Sequence, residues 1–456
     1  MYNLNNIQHF YFLGIGGIGM SALARYFNAL GKNVSGYDKT PSSITKALNE
    51  NGIPVLFNDA ISEIPSTFLD KENTLVVYTP AVAKDNKLLN YFKDNGFHLK
   101  KRAEVLGLIT QSTQCLAVAG THGKTTTSAI LGHLMAEAHF SVTAFLGGIA
   151  ENYDTNLILK GSDISVVEAD EFDRSFLQLN PLIIGITSMD ADHLDIYEKA
   201  ESLTEAFSEF AQKVPKNGTL LFKKGLPLTG LTVAVDEDAD YSAQRIRIEN
   251  GAYLFDLKTP ESTYTDFQFH LPGRHNLFNA TLALAMALRY GANEEQLKKG
   301  LATFKGVKRR FSYSIKTQDF VLIDDYAHHP TEIESVYQTV KEMYAGQQNL
   351  VVFQPHLFSR TRDFVDDFAA ALSQFDEVVL LDIYPARETP IEGVTSKWLL
   401  DKIHNDDKKL IKKEAITDTI LQSDTKVVLM LGAGDIGNEV DIVKQNILKI
   451  KTVASQ

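Results

Sequence analysis

The chain carries one cysteine and one tryptophan in 456 residues. It has no apolar run near the roughly twenty residues that a membrane-spanning helix needs. A single cysteine, Cys115, excludes an intramolecular disulfide and fits a reducing compartment. Cys115 lies in an apolar strand pattern, where a small buried hydrophobe is expected rather than a nucleophile. Positive charge is scarce as well. With 45 Lys and Arg against 57 Asp and Glu, the net charge of −12 excludes a basic nucleic-acid footprint over the whole surface, though not local basic pockets. Residues 1–24 hold no Lys, Arg, Asp or Glu. No positive segment precedes the apolar stretch there, and glycines 14, 16, 17 and 19 interrupt it, so a secretion signal is not expected. Low-complexity tracts, heptads and internal repeats are absent too. What remains is an ordinary globular composition, 44 % hydrophobic and 22 % charged, with length for about three domains. A soluble cytoplasmic protein is expected.

Residues 118–127, VAGTHGKTTT, are the most informative stretch. An apolar strand, Cys115 to Ala119, leads into Gly120-Thr121-His122-Gly123-Lys124-Thr125-Thr126, and a helical pattern follows. Strand, glycine turn, Lys-Thr and helix form a phosphate cradle. Glycines let backbone N–H groups approach phosphate oxygens, and the helix N-terminus adds roughly half a positive charge. Lys124 is placed to reach the β- and γ-phosphates, and the Thr125 hydroxyl to ligate Mg²⁺. The spacing departs from the usual P-loop: only two residues separate Gly120 from Gly123, and Val118 occupies the place of the usual first glycine.

The expected architecture is α/β with three domains, at 1–110, 111–312 and 313–456. The first is Rossmann-like. Strand Phe10 to Leu13 runs into Gly14-Ile15-Gly16-Gly17-Ile18-Gly19, then a helix, then a strand ending at Asp38. This is G-x-G-x-x-G on a strand–turn–helix with an acid about twenty residues on. Gly16, Gly17 and Gly19 suit a diphosphate, and Asp38 a ribose or sugar hydroxyl. A tight turn without a ligand is the plain alternative. The second domain is a P-loop ATPase-like parallel sheet with a small antiparallel part, expected as an insertion at 219–271. The third is a second Rossmann-like sheet whose strands end in Asp324-Asp325, in Gln354-Pro355-His356 and in Gly432-Ala433-Gly434.

Chemistry in such sheets gathers at the carboxyl ends of strands. Mg²⁺ with ATP needs hard oxygen ligands, and Glu168 and His193 stand at strand ends in the part that carries Lys124. Asp170, Glu171 and Asp173 crowd beside Glu168, where a solvated face or a helix cap explains them equally well. Arg309 and Arg310 precede the third domain, and an arginine there is placed to stabilise transferred phosphoryl charge; a hydrated linker is the plain alternative. His328, His329 and Arg360 suggest recognition of a small zwitterion, since no further ligand at suitable spacing supports a metal site. The units together suggest ATP-driven bond formation through a phosphorylated acyl group. A nicotinamide-dependent dehydrogenase and a non-catalytic nucleotide-binding regulator remain as alternatives.

Five blocks carry a family resemblance: GTHGKTTT at 120–127, VEADEFD at 167–173, DADHLD at 190–195, GRHNLFNA at 273–280 and DDYAHHPTE at 324–332. In this order they resemble the Mur ligases, ATP-dependent amide-forming enzymes of peptidoglycan precursor synthesis. HFYFLGIGGIGMSALA at 9–24, DADHLDIY at 190–197 and FQPH at 353–356 resemble the member that adds L-alanine to UDP-N-acetylmuramate. The member that recycles whole tripeptides shares the N-terminal loop and is the runner-up.

The resemblance implies ATP and Mg²⁺ as cofactors and a monomer or weak homodimer. It implies catalytic roles for Lys124, His193 and Arg310, and Thr125, Glu168 and His193 at the metal. Gly120, Thr121, His122, Gly123 and Thr126 would line the ATP phosphates, with Asn276 and Asn279 on adenine and Asp325 on phosphate or ribose. Gly16, Gly17, Gly19 and Asp38 would hold the UDP-sugar, and His328 and Arg360 the amino acid. Two departures stand out. Leu357 replaces an arginine often found after FQPH. No lysine occurs between Ala200 and Gln212 to be carbamylated, so Glu205 or Glu209 is the candidate for that charge. Ligands on three domains imply domain closure.

Overall fold

The computed structural model describes residues 4–190, 200–249, 251–386 and 388–454. Its 21 strands form three sheets. The first contains β1 (His9–Leu13), β2 (Asn33–Tyr37), β3 (Val55–Leu56), β4 (Thr74–Tyr78) and β5 (His98–Lys101), in the order β3-β2-β1-β4-β5. All its pairings are parallel. Helix α1 (Ile18–Ala29) follows the glycine turn after β1.

The central sheet has β6 (Gln114–Ala119), β7 (Val142–Ala150), β8 (Thr155–Leu159), β9 (Ile164–Glu168), β10 (Pro181–Ile186), β11 (Thr219–Lys223), β12 (Leu231–Val235), β13 (Tyr241–Glu249), β14 (Ala252–Lys258) and β15 (Thr263–Phe269). Its order is β15-β14-β13-β12-β11-β10-β6-β9-β7-β8. Parallel sheets covered on both faces read as continuous apolar runs. In β6, Cys115 to Ala119 are all fully buried. The helix Lys124–Glu137 is buried from Thr125 to Ala136.

The expected antiparallel insertion at 219–271 is corrected in its first half. β11, β12 and the start of β13 extend the sheet in parallel, with Leu221 opposite Leu231 and Val233 opposite Tyr241. The connector before β13 doubles back because Asp240 pins it to the start of β12. Its Oδ2 accepts from the Thr232 N–H and hydroxyl, both at 2.7 Å. An antiparallel pair sits at the opposite edge, where β7 meets β8 with Phe145 opposite Leu157.

The third sheet contains β16 (Ser312–Lys316), β17 (Val321–Asp325), β18 (Asn349–Phe353), β19 (Glu377–Leu380), β20 (Lys408–Leu410) and β21 (Val427–Leu431), in the order β16-β17-β21-β18-β19-β20. Only β16 pairs antiparallel. Helices pack on both faces of this sheet, burying two separate apolar clusters.

The chain divides into two compact units. One holds residues 1–247, 254–269 and 278–305, and so joins the first sheet to most of the second. The other holds 248–253, 270–277 and 306–456. Tyr253 and Arg274 belong to this second unit, where both bond to Glu342.

Candidate active site

In the first unit, β6 delivers the phosphate loop to the helix beginning at Lys124. Gly123 has φ +82°, and a Cβ there would meet Asn279 Oδ1 at 2.5 Å, so only glycine fits. No side chain caps this helix, which leaves its first N–H groups directed at the loop. The end of β10 braces the cradle. Ser188 Oγ lies 2.9 Å from Thr121 Oγ1 and accepts from the His122 N–H at 2.9 Å. The Thr187 hydroxyl donates to the carbonyls of Ala119 and His122. His122 Nε2 stands 3.8 Å from Asp190.

The Lys124 ammonium donates to Gly120 O at 2.6 Å, Thr121 O at 3.3 Å and Glu171 Oε1 at 2.8 Å. Burial works against its charge, but Glu171, Glu168 and Asp170 outweigh that and hold its pKa above the usual value. Glu171 is completely buried, so the solvated-face reading fails for it. Glu168 Oε1 accepts from the Thr125 hydroxyl at 3.0 Å, and Oε2 from the Gly147 N–H at 3.0 Å. Thr125 and Glu168 thus bring two hard oxygen donors together beside the phosphate loop, as a Mg²⁺ ion requires. His193 lies outside the described residues. Among the described residues, no group of three or more His, Cys, Asp or Glu is arranged to hold a metal ion. Glu205 and Glu209, expected to replace a carbamylated lysine, are both exposed, and Glu209 pairs with Arg174.

The N-terminal glycine turn is closed by Asp38, whose Oδ2 accepts from the Gly16 N–H at 2.8 Å. A Cβ on Gly16 would lie 2.8 Å from that oxygen. Gly17 caps α1 without a side-chain bond. Arg102 covers Gly19 and also pairs with Asp170 at 3.4 Å. Nothing local in the sequence marks Arg102 for this position.

In the second unit, Arg310 is flanked by two left-handed residues, Arg309 (φ +63°) and Phe311 (φ +51°). Such backbone costs about 1–3 kcal/mol per residue and persists where surroundings enforce it. Arg309 is anchored by Asp324 at 3.4 Å and by the Gly432 carbonyl. Both guanidinium groups sit 5.1 Å from the Tyr326 ring centre. Arg310 also faces Glu332 at 3.9 Å. Asp325 accepts from the N–H groups of Phe311 and Ala327, each at 2.7 Å, yet burial pushes its carboxyl up to about 6. Asn276 donates to Pro272 O at 2.6 Å.

His328 and His329 have different surroundings. His329 caps the helix Pro330–Met343 through Thr331 and meets Phe364 edge to face. His328 Nδ1 lies 2.9 Å from the Tyr326 carbonyl and 3.2 Å from Glu332 Oε2. His356 joins it, its ring centre 6.0 Å away, and receives Arg360 Nη1 at 3.3 Å. Tyr384 stacks on His356. Leu357 holds an unusual φ of +72° and donates its N–H to Tyr384 O at 2.9 Å.

Burial pushes His275, His328 and His356 down to about 4. Unfolded, each titrates near 6.5. Between those values the unfolded chain binds more protons, so stability falls as pH drops below about 6.5. Asp324 and Asp325, raised to about 6 by burial, take up protons when folded and offset part of the loss. The Tm is expected to fall from pH 7 to pH 5, and to fall less in His275→Gln. Equal slopes in a thermal-melt series would contradict this assignment.

Three family models match in chain order: "Mur ligase family, catalytic domain" at 9–114, "Mur ligase middle domain" at 118–287 and "Mur ligase, glutamate ligase domain" at 309–434. The chain belongs to the Mur ligase family. A UDP-N-acetylmuramate–L-alanine ligase of Christiangramia forsetii is 59 % identical over 449 residues, covering 98 % of this chain and 99 % of the relative. Another, from Porphyromonas gingivalis W83, is 49 % identical over 450 residues, covering 96 % and 99 %. The solved UDP-N-acetylmuramate–alanine ligase of Thermotoga maritima matches with a TM-score of 0.82 at 27 % identity, covering 98 % and 99 %. A murein peptide ligase of Psychrobacter arcticus shares the Mur ligase fold, with a TM-score of 0.71 at 22 % identity over 97 % and 98 %. Membership in this family sets aside the dehydrogenase alternative, which left the phosphate loop without a role. No helix among the described residues is long and apolar enough to cross a membrane.

Proposed function

We propose that this Mur ligase joins L-alanine to the lactyl carboxylate of UDP-N-acetylmuramate at the expense of ATP. One observation carries the reading: the Lys124 phosphate loop with its Thr125–Glu168 pair stands in a chain 59 % identical, end to end, to a ligase of that name. Residues 1–110 would hold the UDP-sugar, 111–312 ATP and 313–456 the amino acid.

In this reading the γ-phosphoryl group passes to a carboxylate oxygen and ADP leaves. The alanine amine attacks the acyl carbon, and the tetrahedral adduct expels phosphate to leave an amide. Lys124 neutralises charge on the transferring group, and Arg310 adds a second cation. Thr125 and Glu168 would hold Mg²⁺, with His193 as a further candidate; the ion supplies positive charge against the phosphate oxygens. Asn276 and Asn279 would contact adenine, and Asp325 the ribose or phosphates. The glycines at 16, 17 and 19 would receive the UDP diphosphate beside Asp38 and Arg102.

His328 stays neutral at pH 7, in keeping with its lowered pKa. With its Nδ1–H given to Tyr326 O, Nε2 carries the lone pair and would accept a hydrogen bond from the alanine ammonium, orienting it. Arg360 would fork to the amino-acid carboxylate.

The test is phosphate release with ATP, Mg²⁺ and UDP-N-acetylmuramate, comparing L-alanine with L-Ala-γ-D-Glu-meso-diaminopimelate. Turnover with L-alanine is expected. Turnover with the tripeptide alone would keep the ATP site and replace the proposed amino-acid specificity.

A further inference from the structure

Helix α1 packs on β7 and β8 at the edge of the central sheet. Tyr26 meets Phe145 edge to face at 5.2 Å. Met20, Leu23 and Phe27 share one apolar cluster with Phe145 and Leu157. Apolar contact is non-directional and leaves the position of a helix along its partner loosely specified. One buried amide adds direction here. Asn156 on β8, 1 % exposed, donates from Nδ2 to Ile18 O at 2.5 Å and to Ser21 Oγ at 2.9 Å. Ser21 is fully buried and gives its own hydroxyl hydrogen to Ile18 O at 2.9 Å. Ile18 is the first residue of α1, between Gly17 and Gly19.

The partner strand reaches the other loop. Gly147 on β7 donates its N–H to Glu168, which in turn accepts from Thr125. The hairpin is also held at its turn. Asn152 donates to Thr303 O and accepts from the Lys305 N–H, each at 2.8 Å. Tyr153 OH lies 2.9 Å from His133 Nδ1, on the helix that starts at Lys124.

We propose that Asn156 is a positioning residue: through Ile18 and Ser21 it sets the register of α1, and so of the Gly14–Gly19 loop, against the phosphate loop. The inference rests on the reading that these loops hold the UDP-sugar and ATP. An acyl oxygen carried by one must meet a phosphorus atom carried by the other, and a misplacement of about 1 Å costs about 100-fold in rate. Each loop keeps its own ligand contacts without Asn156, so binding is separable from turnover.

Asn156→Ala is expected to lower kcat about 100-fold. Dissociation constants for UDP-N-acetylmuramate and for a non-hydrolysable ATP analogue, by calorimetry, should stay within about threefold. Ser21→Ala should lower kcat less, and the double variant should be no slower than Asn156→Ala, because the two act as one unit. An unchanged kcat overturns the proposal. So does parallel weakening of both dissociation constants, which marks a general scaffold, and so do additive losses. If Asn156→Ala does not fold, Ser21→Ala decides by the same split: a lower kcat with unaltered binding supports the role, and an unaltered kcat ends it. Wild-type protein that fails to bind UDP-N-acetylmuramate sinks the functional reading itself; wild-type turnover beside an unimpaired Asn156→Ala sinks the positioning role alone.

Discussion

Lys124→Ala is expected to abolish ATP-dependent phosphate release while leaving UDP-N-acetylmuramate binding intact. Removing one preorganised donor to a transition-state oxyanion costs about 100–1,000-fold. Lys124 also brings the full charge for the transferring phosphoryl group, so the loss should reach at least that range. The same change removes the ammonium that stands 2.8 Å from Glu171, which is wholly buried. Breaking a buried ion pair from one side costs about 3–5 kcal/mol. Urea denaturation should therefore show a large drop in stability beside the lost activity. Lys124→Ala combined with Glu171→Gln separates the two effects: stability should largely return, activity should not. Stability unaltered in the single variant would show that the ion pair contributes nothing. Lost UDP-sugar binding would overturn the assignment of ligands to domains.

Arg360→Ala is expected to raise the KM for L-alanine far more than the KM for ATP. Truncating one partner of a buried, hydrogen-bonded charge pair costs about 2–5 kcal/mol. That corresponds to a KM rise between about 30-fold and a few thousand-fold. His356 holds the guanidinium on one side, and at neutral pH its lowered pKa keeps it an acceptor rather than a competing cation. With Leu357 in place of a second arginine, Arg360 carries the recognition with less help, so its loss should fall near the upper end. Arg360→Lys keeps the charge but loses the planar fork, and should recover only part of the affinity. A KM for L-alanine that stays level in Arg360→Ala would move the carboxylate site elsewhere.

The parts legible in the sequence are those fixed by local backbone chemistry. The phosphate loop needs glycine at a left-handed position beside a helix N-terminus, and Gly123-Lys124-Thr125 declares both within a few residues. The glycine turn after β1 is readable for the same reason. Strands that end in acids or histidines were readable because parallel strands are apolar throughout and stop abruptly. Partnerships across the chain were not. The sequence leaves Glu171 open between a functional acid and a solvated face or cap; the fold places it against Lys124, 47 residues away in sequence. Arg102, at the start of the helix after β5, meets Asp170, just beyond β9, only because the fold brings together segments 68 residues apart. His328 and His329 are neighbours in sequence with different surroundings, and the helix beginning at Pro330 decides which one becomes a cap. The parallel run of β11 to β13 is not legible in the sequence because alternation alone does not distinguish strand direction.

Cys115 has a practical consequence. It is the only thiol in the chain, lies fully buried in β6, and has its pKa pushed up to about 12 by burial. Reagents that need a thiolate should pass it by. Cysteines introduced on exposed positions of the two compact units would then accept donor and acceptor dyes without removal of the native residue. Single-molecule energy transfer could follow the separation of the units through successive turnovers in an otherwise unaltered protein.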